Sequence, residues 1–161
     1  MSPLVTDVAV RKLCCERLAV VGVCNSYVAT ESDRGAEILV IDDEAIMRDL
    51  ITDWLEAAGY RVLKAADCSS ASTALERAPA LVVSDMCMPG RRGVEAIRWI
   101  REKDPGARLI AVSGHFGSAC GCSADDALGA GVARALSKPL KRGQLLRAVA
   151  ELIGPPQPSS A

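Results

Sequence analysis

The chain has 161 residues, half of them apolar and only 3% aromatic, with a formal net charge of −1. That length and composition allow one domain with a core of aliphatic side chains and alanine, plus some extra sequence. A chain-wide basic balance is absent and no apolar run reaches the ~18–20 residues of a membrane span, so neither direct DNA binding nor membrane insertion is expected.

Residues 1–36 are expected to form a poorly ordered N-terminal extension. Arg11 and Lys12 precede an apolar run, Leu18 to Cys24, that faintly resembles a secretory signal. Glu16 and Arg17 interrupt its approach, and Asn25, Ser26 and Tyr27 end it early, so the extension is preferred over a signal. The cysteines are Cys14, Cys15, Cys24, Cys68, Cys87, Cys120 and Cys122, an odd number at irregular spacing with no C-x-x-C pair. Neither a zinc ribbon nor a thioredoxin-type motif is indicated, and free thiols in a reducing cytoplasm are the plainest expectation.

The pattern becomes regular after Gly35. Ile38-Leu39-Val40-Ile41 is a short apolar run that ends in Asp42-Asp43-Glu44, as expected of a buried parallel strand with a polar loop at its carboxyl end. Ile46, Leu50, Trp54 and Leu55 then recur at helical spacing, and Gly59 closes the segment. Tyr60 to Leu63 is read as a second strand, and Ser70 to Ala78 as a helix ended before Pro79. Leu81 to Asp85 is a third strand, again with an acid at its tip. A helix follows from about Gly93 to Lys103, then a turn at Asp104-Pro105-Gly106. Arg108 to Ser113 is the fourth strand, Ala124 to Leu128 a short helix stopped by Gly129 and Gly131, and Val132 to Leu136 the fifth strand. Leu140 to Ile153 is the last helix, and residues 154–161, rich in proline and serine, are read as a flexible tail.

Five strands alternating with five helices imply a parallel sheet covered on both faces. Ligands of such sheets bind beyond the carboxyl ends of the strands. Asp42, Asp43, Asp85, Ser113 and Lys138 all fall there. Three carboxylates drawn together repel one another, and a hard, oxygen-bound dication such as Mg²⁺ answers that repulsion. Asp85 could act as a nucleophile toward phosphorus. The Lys138 ammonium and the Ser113 hydroxyl could each hold a phosphoryl oxygen. Pro139 biases Lys138 toward an extended backbone, which aims the lysine at the site and starts the last helix.

Ile38-Leu39-Val40-Ile41-Asp42-Asp43-Glu44, Asp85-Met86-Cys87-Met88-Pro89-Gly90 with Gly93, Ser113-Gly114 and Lys138-Pro139 together resemble the four signatures of CheY-like receiver domains. The resemblance covers about residues 37–153. It implies an α/β, flavodoxin-like, doubly wound five-stranded parallel sheet of order 2-1-3-4-5 with about five helices. It implies that Asp85 is the phosphoacceptor and a metal ligand, that Asp43 binds Mg²⁺ directly and that Asp42 acts through water. The backbone carbonyl of Cys87 would complete the protein ligands, Ser113 and Lys138 would engage the phosphoryl group, and Pro139 would be cis or serve to orient the lysine. The donor would be a phosphohistidine on a sensor histidine kinase or a phosphotransfer protein.

The sequence departs from the family in places. An aromatic common three residues before the lysine is Ala135 here, so the usual aromatic read-out is missing. Leu140 stands where Phe is frequent. His115, Cys120 and Cys122 do not complete a closed zinc site without a fourth ligand. Trp54 and Trp99 are expected in core or half-buried packing, and Arg91-Arg92 as a solvated loop pair.

The leading expectation is a receiver that signals by protein contacts, since only the tail follows the last helix. The face of the fourth helix, fifth strand and fifth helix would serve a downstream partner or a homodimer. One alternative is a degenerate receiver acting as a constitutive binding module. The other is a Mg²⁺-dependent phosphatase with an aspartyl nucleophile, disfavoured because Cys87 stands where that chemistry needs a second Asp.

Overall fold

The computed structural model describes residues 36–114 and 123–156. The readings of the N-terminal extension, of His115, Cys120 and Cys122, and of the end of the tail lie outside those residues. The element order is β1 (Glu37–Ile41), α1 (Ala45–Ala57), β2 (Arg61–Ala65), α2 (Cys68–Leu75), β3 (Leu81–Asp85), α3 (Val94–Lys103), β4 (Leu109–Ser113), α4 (Ala124–Gly129), β5 (Arg134–Ser137) and α5 (Arg142–Ile153). All strand pairs are parallel, and the order across the sheet is β2-β1-β3-β4-β5. The expected doubly wound α/β fold is what the chain adopts.

Successive residues of a strand point to opposite faces, and both faces here are covered. Ile38, Val40, Leu81, Val83, Ile110 and Val112 pack with Ile51 and Leu55 of α1 and with Leu145 and Val149 of α5. Leu39, Ile41, Val82, Leu109 and Ala111 pack with Ala71 and Leu75 of α2, Ile97 and Ile100 of α3 and Ala127 of α4. Each fully buried aliphatic side chain contributes roughly 1.5–3 kcal/mol. Two such layers hold the strand tips in fixed positions. Trp99 lies in the second layer at 7% exposure, as expected of a core residue. Arg91 is not merely solvated, because its guanidinium lies 5.4 Å from the centroid of the Trp99 ring.

Several boundaries differ from the sequence expectation. Helix α1 buries Ile51, Thr52 and Leu55, while Ile46 is 76% and Leu50 37% exposed. Helix α2 starts two residues earlier than expected. Asp67 caps it by accepting from the Ser70 N–H at 2.8 Å, and the Ser70 side chain returns to the Asp67 backbone in a capping box. Strand β5 runs two residues later in its start, because Val132 turns into the core beside α4 before the ladder begins. Helix α5 starts at Arg142 and not at Leu140, since Lys141 keeps an extended backbone and serves as the N-cap.

Candidate functional site

The site lies at the carboxyl ends of β1, β3, β4 and β5. Asp42 follows β1, and its N–H donates to the Ala65 carbonyl at 3.2 Å, which ties this tip to β2. Asp85 ends β3 in register with Val112 of β4. Ser113 ends β4 opposite Ser137, and the Lys138 N–H donates to the Ser113 carbonyl at 2.8 Å. Backbone ladders thus deliver residues separated by up to 96 positions to one place.

The side chains meet there. The Lys138 ammonium donates to Asp85 Oδ2 at 3.1 Å and to Asp42 Oδ2 at 3.3 Å. Asp42 is 1% exposed and Asp85 6%, whereas Asp43 faces solvent. Asp42 Oδ1 accepts the Glu44 N–H at 2.8 Å, so this carboxylate also satisfies an amide at the start of α1. Asp85 Oδ1 accepts the Cys87 N–H at 3.1 Å. The Lys138–Pro139 peptide bond is cis. Ser113 is fully buried, and its hydroxyl lies 3.7 Å from Cys87 Sγ. A Cβ added to Gly114 would lie 3.9 Å from the Lys138 side chain, so the small residue leaves room beside the lysine.

Charge in this pocket is unbalanced. One carboxylate oxygen from each of Asp42, Asp43 and Asp85 lies within 4.8 Å of the others. Among the described residues one ammonium, that of Lys138, faces them. Burial raises the Asp42 carboxyl above its ordinary pKa; the Glu44 amide and the Lys138 ammonium pull the other way, and Asp85 adds to the rise. Burial pushes the Lys138 ammonium down, but Asp85 and Asp42 outweigh it, and its pKa lies above that of an ordinary lysine. An all-oxygen donor set with surplus negative charge fits a hard divalent cation of the Mg²⁺ kind.

Two supporting residues escaped the sequence reading. Arg48 Nη1 donates to the Asp42 carbonyl at 2.7 Å, and Thr52 Oγ1 donates to the Arg48 carbonyl at 2.8 Å. Their only sequence signal is an i, i+4 pair on one helix face. Of the two described cysteines, Cys68 is a free thiol as expected, and Cys87 is not.

Comparison with known proteins agrees with this geometry. Residues 38–150 match the response regulator receiver domain family. The chemotaxis protein CheY of Bacillus subtilis is 32% identical over 116 residues, which span 70% of this chain and 92% of that protein. Some other relatives are much longer. The C4-dicarboxylate transport transcriptional regulatory protein DctD of Pseudomonas aeruginosa is 34% identical over 84 residues, 52% of this chain but 18% of that protein. The solved receiver domain of the sensor histidine kinase PA1611 of Pseudomonas aeruginosa holds a magnesium ion in its active-site cleft. It matches with a TM-score of 0.64 and 30% identity over 74% of this chain and 98% of that one.

Proposed function

This chain belongs to the response regulator receiver domain family, and on that premise we propose that it is a phosphoacceptor switch of a two-component system or phosphorelay, phosphorylated on Asp85 by a sensor histidine kinase or a phosphotransfer protein. The observation that carries the proposal is the Lys138 ammonium held 3.1 Å from Asp85 and 3.3 Å from Asp42 at three different strand tips.

The proposed chemistry follows from charge and position. A carboxylate oxygen of Asp85 attacks phosphorus while the P–N bond to the donor imidazole breaks, and the imidazole leaves with the electron pair. Such a transfer asks mainly for positioning and for neutralisation of the equatorial oxygens. Lys138 turns from the carboxylates to one of these oxygens, and the Ser113 hydroxyl donates to another. Asp43, Asp85 and the Cys87 backbone carbonyl would hold Mg²⁺, with Asp42 acting through water, and the ion would supply positive charge to the phosphoryl group. Pro139 orients the lysine.

Contacts with partners are proposed on two faces. Ile46 and Leu50 are exposed one helical turn apart on α1, directly after the acidic loop, and offer apolar surface to the phosphodonor. The α4–β5–α5 face, with Leu128 at 46% exposure, serves the downstream protein target or a homodimer. Ala135 lacks the aromatic read-out, so the signal travels through backbone shifts at Ser113 and Lys138. Residues 37–153 form the working receiver, placed in the cytoplasm. Among the described residues no helix is long and apolar enough to cross a membrane.

Incubation with acetyl phosphate and Mg²⁺ tests the reading. An acid-stable, base-labile phosphoryl adduct on Asp85 is expected, lost in Asp85→Asn and suppressed by a chelator. An adduct that persists in Asp85→Asn removes this residue from the mechanism. A truncation starting at Gly35 that no longer accepts phosphate would show that the extension is required.

A further inference from the structure

We propose that Arg48 is a positioning residue for the divalent cation: by gripping the Asp42 carbonyl it fixes the peptide that joins Asp42 to Asp43, and so aims Asp43 at the ion shared with Asp85. The inference rests on the reading of Asp43 and Asp85 as metal ligands.

The turn that carries Asp42 and Asp43 is tied down through Asp42. Its N–H donates to the Ala65 carbonyl of β2 at 3.2 Å. Its Oδ1 accepts the Glu44 N–H at 2.8 Å, and its Oδ2 accepts from Lys138 Nζ at 3.3 Å. Its carbonyl accepts from Arg48 Nη1 at 2.7 Å. That last bond acts directly on the Asp42–Asp43 peptide, because a carbonyl lies in the plane of the peptide it belongs to. Asp43 itself is exposed, yet one of its carboxylate oxygens lies within 4.8 Å of one from Asp42 and one from Asp85. The direction of its side chain therefore depends on the plane behind it.

Arg48 is well placed to hold that plane. It lies in the first turn of α1, and its own N–H donates to the Glu44 carbonyl at 3.0 Å. Its carbonyl accepts from the buried Thr52 hydroxyl at 2.8 Å. The helix is anchored to the sheet by Ile51 and Leu55. The guanidinium thus reaches back from a fixed helix to the strand tip. Glu44 makes no side-chain capping bond, so the start of α1 is fastened to the turn by the two bonds through Asp42.

Charge and position predict opposite signs for the loss of Arg48. A guanidinium near the acids repels a dication, so by charge alone its removal tightens cation binding. By position its removal loosens binding. Replacing a residue that orients metal ligands typically costs ~10–100-fold in metal affinity. The choice of ion separates position from a general loosening of the fold. Mg²⁺ demands near-octahedral geometry at about 2.0–2.1 Å, whereas Ca²⁺ accepts a flexible shell at about 2.3–2.6 Å. A misaimed Asp43 harms Mg²⁺ binding more than Ca²⁺ binding. A loosened fold harms both alike.

Calorimetric titration of the full chain with magnesium chloride and, separately, calcium chloride tests the role. Arg48→Met is expected to bind Mg²⁺ about tenfold more weakly than wild type and Ca²⁺ less than about threefold more weakly. Arg48→Lys keeps the charge and a donor near the carbonyl, and should bind Mg²⁺ within about threefold of wild type. Urea titrations in chelator check that each variant is folded. Should Arg48→Met not fold, Arg48→Gln, whose amide is too short to reach the carbonyl, carries the same expectation. Mg²⁺ affinity equal to or tighter than wild type in the folded variant overturns the proposal, as does an equal loss for both ions. A wild type that binds neither ion, or an Asp43→Asn variant that binds Mg²⁺ as wild type does, overturns the metal-ligand reading and this inference with it. Binding that needs Asp43 but not Arg48 overturns the positioning role alone.

Discussion

The two ends of the sheet carry opposite kinds of ion cluster. At the amino end of β1, Glu37 meets Arg77 at 2.8 Å and Arg61 at 3.4 Å, with both arginine side chains 55% exposed. At the carboxyl end Lys138 meets Asp85 and Asp42, whose side chains are 7% and 1% exposed. The first cluster has cations to spare and water around it, and folding tolerates it at little cost. The second has anions to spare and little water. Removing charge from water is expensive unless it is matched, so surplus charge held in a closed place marks a site kept for binding or chemistry. The same fold thus displays an ion cluster that only decorates the surface and one that stores unmet demand for positive charge.

The largest difference should appear on replacing the cation of each end. Lys138→Met is expected to slow phosphorylation by acetyl phosphate by roughly 10²–10³-fold, the usual loss when one charge-stabilising donor is removed. Arg77→Met should leave that rate unchanged. A Lys138→Met rate within a few-fold of wild type would break the contrast.

Next comes the response to a cation. Mg²⁺ at about 100 times its dissociation constant should raise the unfolding free energy by ~2.7 kcal/mol, read in urea titrations with and without the ion. Asp43→Asn should lose most of that gain and Glu37→Gln none of it. Equal gains in Asp43→Asn and wild type would place the ion elsewhere.

A pH series without metal sharpens the contrast. The Asp42 carboxyl is raised in the fold above its ordinary 3.8. Below that value both states are protonated and the residue costs nothing. As pH rises from there through the raised value, the native state holds more protons than the unfolded one, so stability falls. Asp42→Asn escapes this loss. Its stability relative to wild type should climb through that window and level off above it, by chemical denaturation in chelator. Asp49, Asp67 and Asp126 are lowered in the fold and act oppositely, but they are common to both proteins and cancel. A flat difference would show that Asp42 is not penalised by burial.

The smallest effect belongs to Glu37→Gln. Loss of the exposed pairs should cost less than about 1 kcal/mol and less still at high salt. A larger, salt-insensitive loss would make the amino-end cluster structural.

Helix α1 shows where periodicity stops being informative. Ile46, Met47, Leu50, Ile51, Trp54 and Leu55 are adjacent pairs repeating every four residues, so two apolar stripes fit the sequence equally well. Packing against α5 and the sheet selects the stripe of Met47, Ile51 and Leu55, and leaves Ile46 outside. Strands β3 and β4 were legible nearly to the residue because they are short, uninterrupted apolar runs bounded by polar ends. Strand β5 was not, since Val132 is apolar for a reason unrelated to the ladder.

The amino-acid order by itself determined the alternation of strands and helices, the acids and the lysine at the strand tips, and hence the class of chemistry. Those features are local, written in runs of a few residues. Tertiary structure alone decided that Lys138 bridges Asp42 and Asp85, that Arg48 braces the Asp42 carbonyl, that Arg91 covers Trp99 and that the Cys87 sulfur borders Ser113. Each of these is a distance between side chains brought together by packing, and no spacing along the chain encodes it.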